Sequence, residues 1–509
     1  MNKQLLLGID VGTLGSKGVL LSTEGKVVAE SFREHDVYQP YPGWAEHDPE
    51  AVWWKDFVQL VREIFKRYRA KPPDVLGICV SALMPDVVLV NRQGHPLYNA
   101  ILYSDNRAYE ELQWGKKVVG DEMHLNVCGT SITTEAAWPK LLWVKKHKSK
   151  VWSKAYKFLS ATNYLVLKLT SQYSMDFDNA TAYLFDLKKG EWSEELCQLA
   201  GIPIEKLPSV FPSHQIVGEV EREASKETGL AKGTPVLVGC GDVSASTLSS
   251  GVTEDKEAVF YYGSTGCLLV CSDQLKTHPK LWAGRYLIPG KYLLASFMAT
   301  SGIILRWFRD EFGQLEVEKA RRSGSSAYSI LDQEASRVAP GSDGLIVLPY
   351  FQGEKAPIWN PLARGVVFGL LLNHTRAHLY RSLLEAVGYG LRHNLDMFEE
   401  SGMLPEKLMT VDGGAKSRLW RQIVTDITGI PQHYIAKLPG APFGDAYLAG
   451  YGVGLFKDFR KLKEWLKVTE VTHSRQKIHQ YYTKLYSIYR KLYESVGPLF
   501  LEVKALEAE

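Results

Sequence analysis

Several large classes of protein are excluded by what this chain has little of. Net charge is small: 60 Lys and Arg stand against 57 Asp and Glu in 509 residues, a formal charge of +3. That balance gives no electrostatic reason to expect nucleic acid or an anionic lipid surface as a partner. Cysteine is sparse and scattered, at Cys79, Cys128, Cys197, Cys240, Cys267 and Cys271, with no C-x-x-C and no histidine at zinc spacing. These read as small buried hydrophobes with the reduced thiols of a cytosol. No run nears the roughly 18 apolar residues of a membrane span, and the stretch after Met1 is too short for a signal peptide. The expectation is a soluble cytoplasmic protein without membrane or nucleic-acid partners. Neither G-x-x-x-x-G-K-[ST] nor G-x-G-x-x-G occurs, so the phosphate loops that run from a strand straight into a helix are missing.

What is present is an ordinary globular composition, 45% apolar and 23% charged, long enough for two to four domains. Residues 4–9 (Q-L-L-L-G-I) form a short apolar run that predicts a buried strand. A polar turn follows, and strand pattern resumes at Gly18–Ser22 and, after Glu24-Gly25, at Lys26–Ser31. Asp48-Pro49 supplies a helix N-cap and a first-turn proline. Trp53, Phe57, Leu60, Val61, Ile64, Phe65 and Tyr68 then repeat at helical spacing. Strands are predicted at Val75–Ser81 and Val87–Asn91, around the loop A-L-M-P-D. Near Pro235 the pattern restarts: an apolar strand ends in C-G-D-V-S, and Ala258–Tyr262, G-S-T-G and Leu268–Cys271 repeat strand, Gly-rich turn, strand. This weak internal symmetry predicts two related α/β lobes with a boundary near residues 245–255. Tyr482, Tyr486, Tyr489 and Tyr493 recur at helical spacing in the tail, the pattern of core packing.

Three turns carry groups that suit phosphate. Asp10 through Lys17 (D-V-G-T-L-G-S-K) offers glycine-exposed amides, the Thr13 hydroxyl, the Lys17 ammonium and a carboxylate able to hold Mg²⁺. A plain tight hairpin is the competing reading. Gly263-Ser264-Thr265-Gly266 is a second such turn. Gly413-Gly414-Ala415-Lys416-Ser417 is a third, running from strand to helix, where amides at a helix start favour a nucleotide. Asp242, at the end of an apolar strand among small residues, suits a general base for a hydroxyl, or else caps the following helix. Phosphoryl transfer needs this combination: positioning, charge neutralisation and one proton acceptor.

These segments resemble the FGGY family of carbohydrate kinases. The resemblance rests on G-I-D-V-G-T-L-G-S-K, P-G-W-A-E-H-D-P-E-A-V-W-W, G-C-G-D, R-G-V-V-F-G-L with H-L-Y-R-S-L-L-E, and V-D-G-G-A-K-S-R-L-W-R-Q, in the family's order across about residues 4–455. W-P-K-L-L-W-V (Trp138–Val144) is most similar to the branch acting on D-xylulose. The resemblance implies two actin-like ATPase lobes with ribonuclease H-like cores and a catalytic cleft between them, as an N-terminal domain over 1–248 and a C-terminal, nucleotide-binding domain over 249–509. It implies ATP and Mg²⁺, with a small-molecule sugar as acceptor, and homodimers are common in such families. It implies Asp242 as catalytic base and, with Asp10, as metal-binding. Gly12, Thr13 and Lys17 would form the first phosphate turn, Gly263, Thr265 and Gly266 the second, and Gly414, Ala415 and Ser417 the adenosine side. Met84, Pro85, Asp86, Asp105 and Asp242 would meet the sugar. Two departures stand out. Met84-Pro85-Asp86 replaces the Met-His-Gly of many xylulose-directed members, which puts ribulose, gluconate or erythritol beside D-xylulose as acceptors. D-G-G-A replaces G-G-G-A, so Asp412 either contacts nucleotide or caps a helix. A non-transferring actin-like ATPase is the remote alternative.

Overall fold

Continuous apolar runs interrupted by single glycines build the central sheets. The computed structural model describes residues 4–68 and 70–506, and the chain folds as two α/β units. The first is drawn from Met1–Thr253, Asp273–Leu293 and Leu438–Leu466. Its sheet contains β1 (Leu5–Val11), β2 (Gly15–Ser22), β3 (Val27–Glu34), β4 (Val75–Ala82), β5 (Ile216–Glu219), β6 (Pro235–Leu237) and β7 (Cys240–Gly241). The order is β5-β6-β4-β1-β2-β3, with β7 beside β4. β1 to β3 form an antiparallel meander, while β4 runs parallel to β1, β6 and β7. Both faces of β1 are covered, which is why L-L-L-G-I-D-V reads as one apolar run rather than alternating.

The helix after β3 begins as expected. Asp48 accepts from the Glu50 and Ala51 N–H groups, both at 2.9 Å. Pro49–Trp54 forms a wide π-type turn before the regular helix Lys55–Tyr68. That helix buries Phe57, Leu60, Val61 and Ile64, each a contribution of about 1.5–3 kcal/mol. Phe65 and Tyr68, at the edge of the same stripe, are half-buried.

The second unit, drawn from Glu254–Ser272, Leu294–Lys437 and Lys467–Glu509, repeats the scheme. β8 (Ala258–Tyr262) and β9 (Gly266–Ser272) form a hairpin. β8 then runs parallel to β10 (Leu408–Val411), and β10 to β11 (Gln432–Tyr434). The helix Gln476–Val496 buries Tyr482, Tyr486 and Tyr489, and the Tyr350 and Tyr489 hydroxyls meet at 2.7 Å. Among the described residues, no helix is long and apolar enough to cross a membrane, and all six cysteines are free thiols.

Candidate active site

In the first unit, the β1–β2 register sets Asp10 opposite Lys17, and the Gly12 N–H closes the turn on the Gly15 carbonyl at 2.9 Å. His35 braces this turn: one ring nitrogen lies 3.0 Å from the Gly12 carbonyl and the other 2.8 Å from Asp56. Asp56 also accepts from Ser16 at 2.9 Å. The Lys17 ammonium donates to the Pro439 carbonyl at 2.8 Å. Thr13 donates to the Tyr103 hydroxyl at 3.4 Å.

Parallel pairing of β1 and β7 on either side of β4 gathers carboxylates at one end of the sheet. Asp10 lies opposite Ser81, and Cys240 opposite the same Ser81. Ser81 Oγ is 3.1 Å from Asp10 Oδ1 and 2.7 Å from Asp445 Oδ2. Asp445 arrives on the small-residue helix Ala441–Gly452, which seats tightly because Gly8 and Gly444 lack side chains. A Cβ on Gly8 would stand 1.9 Å from the Pro442 carbonyl oxygen, and one on Gly444 2.1 Å from that of Ala245.

Asp242 is the first residue of the helix Asp242–Ser249, and Gly241 is its N-cap. Asp242 Oδ1 accepts from the Val243 N–H at 2.8 Å. The Gly241 N–H donates to Asp178 Oδ2 at 2.9 Å. A Cβ on Gly241 would fall 2.0 Å from Met84 Sδ, so this glycine lets the Met84 loop press against the Asp242 junction. Electrostatics follow from crowding. Burial holds the Asp10 carboxyl up at about 7, with Ser81 and Lys17 pulling it down. Burial, then the Asp10 charge, push Asp242 well above the ordinary carboxylate range. Asp178 is raised to about 6 and Asp176 to about 7, both chiefly by burial.

In the second unit, the Gly263 and Ser264 carbonyls of the β8–β9 turn accept from Gly302, Ser301 and Ile303 at the start of the helix Gly302–Phe312. Ser264 and Thr265 are exposed. The third turn leaves β10 with Asp412 at φ 76°, a left-handed conformation that is uncommon outside glycine. Its carboxylate lies 3.5 Å from where a Gly263 Cβ would be. Gly414 is packed so closely that a Cβ would stand 2.4 Å from the Trp420 ring and 2.9 Å from the Tyr262 carbonyl oxygen of β8. Ser417 caps the next helix by accepting from the Trp420 N–H at 3.0 Å.

Sequence models of the N- and C-terminal domains of the FGGY family of carbohydrate kinases match residues 5–249 and 258–453. The chain belongs to the FGGY family of carbohydrate kinases. It is similar to xylulose kinase of Staphylococcus epidermidis, 29% identical over 503 residues and 98% of each chain. It is also similar to gluconokinase of Bacillus subtilis, 31% identical over 456 residues, 87% of this chain and 88% of that one. The crystal structure of xylulose kinase from Rhodospirillum rubrum superposes with a TM-score of 0.90 at 32% identity, covering 98% of this chain and 100% of that one. The two-lobed α/β sugar-kinase fold expected from the resemblance is the one observed.

Of the residues singled out in this FGGY kinase by sequence, Asp10, Gly12, Thr13, Lys17, Asp242 and Met84 gather in the first unit as described. Gly263, Thr265, Gly266, Gly414, Ala415 and Ser417 belong to the turns of the second. Asp105 and Asp86 are both held by bonds within the protein. Asp105 accepts from the Ala45 N–H, the Arg107 N–H and both arms of the Arg107 guanidinium, at 2.6 to 2.9 Å. Those four bonds anchor the Asp105 loop and occupy most of the carboxylate's acceptor capacity. Asp86 is wholly buried. One oxygen accepts from the Ala161 N–H at 3.2 Å, the other has no hydrogen-bond partner among the described residues, and burial raises the group to about 8. One of its oxygens thus faces the start of the helix Ala161–Thr170. Ala415 is likewise enclosed, leaving only its backbone to serve a ligand. Missed from the sequence were Ser81, Asp178, His35 and Asp445. An aspartate inside G-A-P-F-G-D-A-Y-L-A-G, otherwise all small and apolar, was the available signal for the last.

Proposed function

We propose that the chain transfers the γ-phosphoryl group of ATP to a hydroxyl of a ketose, D-xylulose foremost, with Asp242 as general base. The observation that carries this reading is the Asp242 carboxyl at the strand–helix junction, made more basic by burial and by Asp10. The acceptor hydroxyl would bond to the γ-phosphorus, the bond to the β-phosphate oxygen would break, ADP would leave, and the hydroxyl proton would pass to Asp242.

Asp10 and Asp242 are hard oxygen donors raised by burial, and Lys17, the cation acting on Asp10, is already bonded to the Pro439 carbonyl. That donor set fits Mg²⁺, which when bound would neutralise phosphate charge and favour the ionised form of both carboxylates. Gly12, Thr13 and Lys17, then Gly263, Thr265 and Gly266, would hold the phosphates. Gly414, Ala415 and Ser417 would hold the adenosine side. Met84, Pro85 and Asp242 would border the sugar, with Asp86 and Asp105 stiffening the surrounding loops. The division into 1–248 and 249–509, a cytoplasmic location and a homodimer belong to the same reading.

A sugar acid is the second acceptor class, favoured by the gluconokinase relative at 31% identity. ADP release measured with D-xylulose, D-ribulose, D-gluconate and erythritol tests the reading. The highest kcat/KM should fall to D-xylulose. A preference of tenfold or more for gluconate selects the second class, and hydrolysis indifferent to every acceptor overturns sugar transfer.

A further inference from the structure

Asp445 has no role in the transfer step, yet it is wholly buried against the strand that carries Asp10. Its Oδ2 is 2.7 Å from Ser81 Oγ. Its Oδ1 is 3.4 Å from Cys240 Sγ and 3.9 Å from Cys79 Sγ. Ser81 Oγ is also 3.1 Å from Asp10 Oδ1. Two hydrogen bonds therefore join three oxygen-bearing groups in the order Asp445, Ser81, Asp10. A hydroxyl has one proton to donate, so Ser81 can supply only one of the two bonds. The second proton has to come from one of the two acids. Asp10 faces Lys17 across the hairpin. Among the described residues the hydrogen-bond partners of Asp445 are the Ser81 hydroxyl and the two thiols, and burial, then Asp10, push its carboxyl well above the ordinary range.

We propose that Asp445 is a positioning residue that stays protonated, donates to Ser81, and so directs the single Ser81 proton onto Asp10 Oδ1. The thiols of Cys79 and Cys240 supply weak donors to the other Asp445 oxygen. The arrangement fixes the rotamer and charge of Asp10 from behind, leaving its second oxygen for a ligand in front. With Asp445 ionised instead, Ser81 would be drawn to it at 2.7 Å and Asp10 would lose its only hydroxyl donor among the described residues. This inference rests on the role proposed for Asp10.

The test compares Asp445→Asn, Asp445→Ala and Ser81→Ala in the full chain. An asparagine amide can donate to Ser81 just as the protonated acid does, whereas alanine cannot. Turnover of the preferred sugar should drop about 10- to 100-fold in Asp445→Ala and Ser81→Ala, the usual effect of losing a group that orients a ligand-bearing side chain. KM for the sugar should change little. Asp445→Asn should recover turnover to within about threefold of the parent. The pair Asp445→Ala with Ser81→Ala should be no worse than either alone, because one chain of bonds is being cut. A second readout is Mn²⁺ affinity in the presence of ADP, followed by electron paramagnetic resonance without sugar. It should weaken in the two alanine variants and be preserved in Asp445→Asn. If Asp445→Ala proves too unstable, Ser81→Ala, which removes one oxygen, gives both readouts.

The proposal is overturned if Asp445→Asn loses as much as Asp445→Ala, since a negative charge would then be what matters. It is equally overturned if both alanine variants keep parental turnover and Mn²⁺ affinity. Failure of the parent to phosphorylate any sugar would instead sink the transfer reading, and the Mn²⁺ arm would still report on Asp445.

Discussion

Gly8→Ala is the substitution that the packing around β1 resists most clearly. The added carbon would stand 1.9 Å from the Pro442 carbonyl oxygen, 2.7 Å from the Ala446 nitrogen and 2.9 Å from Asp445 Cβ. Ordinary contact begins at 3.4 Å, so the nearest approach is about 1.5 Å too short. Two of the three atoms met are backbone, and no side-chain rotation relieves them. The strand cannot retreat either, because Gly8 is paired to Val19 on one side and Cys79 on the other. The helix Ala441–Gly452 has to lift away, and overpacking of this kind costs typically about 1–3 kcal/mol, with the upper end expected here. Lifting the helix also draws Asp445 away from Ser81. Chemical unfolding should therefore show a loss near 3 kcal/mol, and sugar-dependent ADP release should fall with it. A Gly8→Ala protein within about 0.5 kcal/mol of the parent, the scatter of innocuous surface changes, and with unchanged turnover would refute the packing described.

Other outcomes follow from the same geometry. Gly241→Ala drives a carbon into Met84 Sδ at 2.0 Å and toward Asp178 at 2.9 Å, so steady-state kinetics should show kcat reduced at least tenfold, because Asp242 is displaced. Arg107→Met strands Asp105 and Glu46, both held by the guanidinium at 2.7–2.8 Å. A loss of about 3–5 kcal/mol is expected in denaturant unfolding, the cost of leaving buried charges unpaired. For Asp10, a native value of about 7 against the ordinary 3.8 means that the folded state binds the proton more tightly. Its contribution is complete below about pH 4 and is lost as pH rises through 7. Asp10→Asn should thus stabilise the metal-free protein at pH 8, by up to about 4 kcal/mol. The gain should shrink towards pH 5 in melting curves taken with chelator, and a gain largest at pH 5 would contradict it.

Local chemistry made much of this legible in the sequence. Asp48 caps its helix through a side-chain rule that acts over three residues, and the two hairpins declare themselves by Gly-rich turns between apolar runs. The Tyr482, Tyr486 and Tyr489 stripe is periodic and buried, as such stripes usually are. Contacts between distant segments were not legible. Asp445 and Ser81 are 364 residues apart, and nothing in composition marks Leu438–Leu466 as part of the first unit. The family resemblance alone places Asp105 at the sugar; the Arg107 fork and the Ala45 amide that hold it depend on how the Trp44 loop folds back. Asp86 followed a similar course, since the helix start it faces begins 75 residues later.

Phosphoryl transfer with Asp242 as base is the central claim, and one measurement reaches it directly. ADP release by the parent and by Asp242→Asn should be compared with and without the preferred sugar, alongside ADP affinity by calorimetry. Sugar-stimulated release is expected in the parent, with a fall of about 10² or more in Asp242→Asn and ADP affinity left largely intact. Near-parental turnover in Asp242→Asn would contradict it.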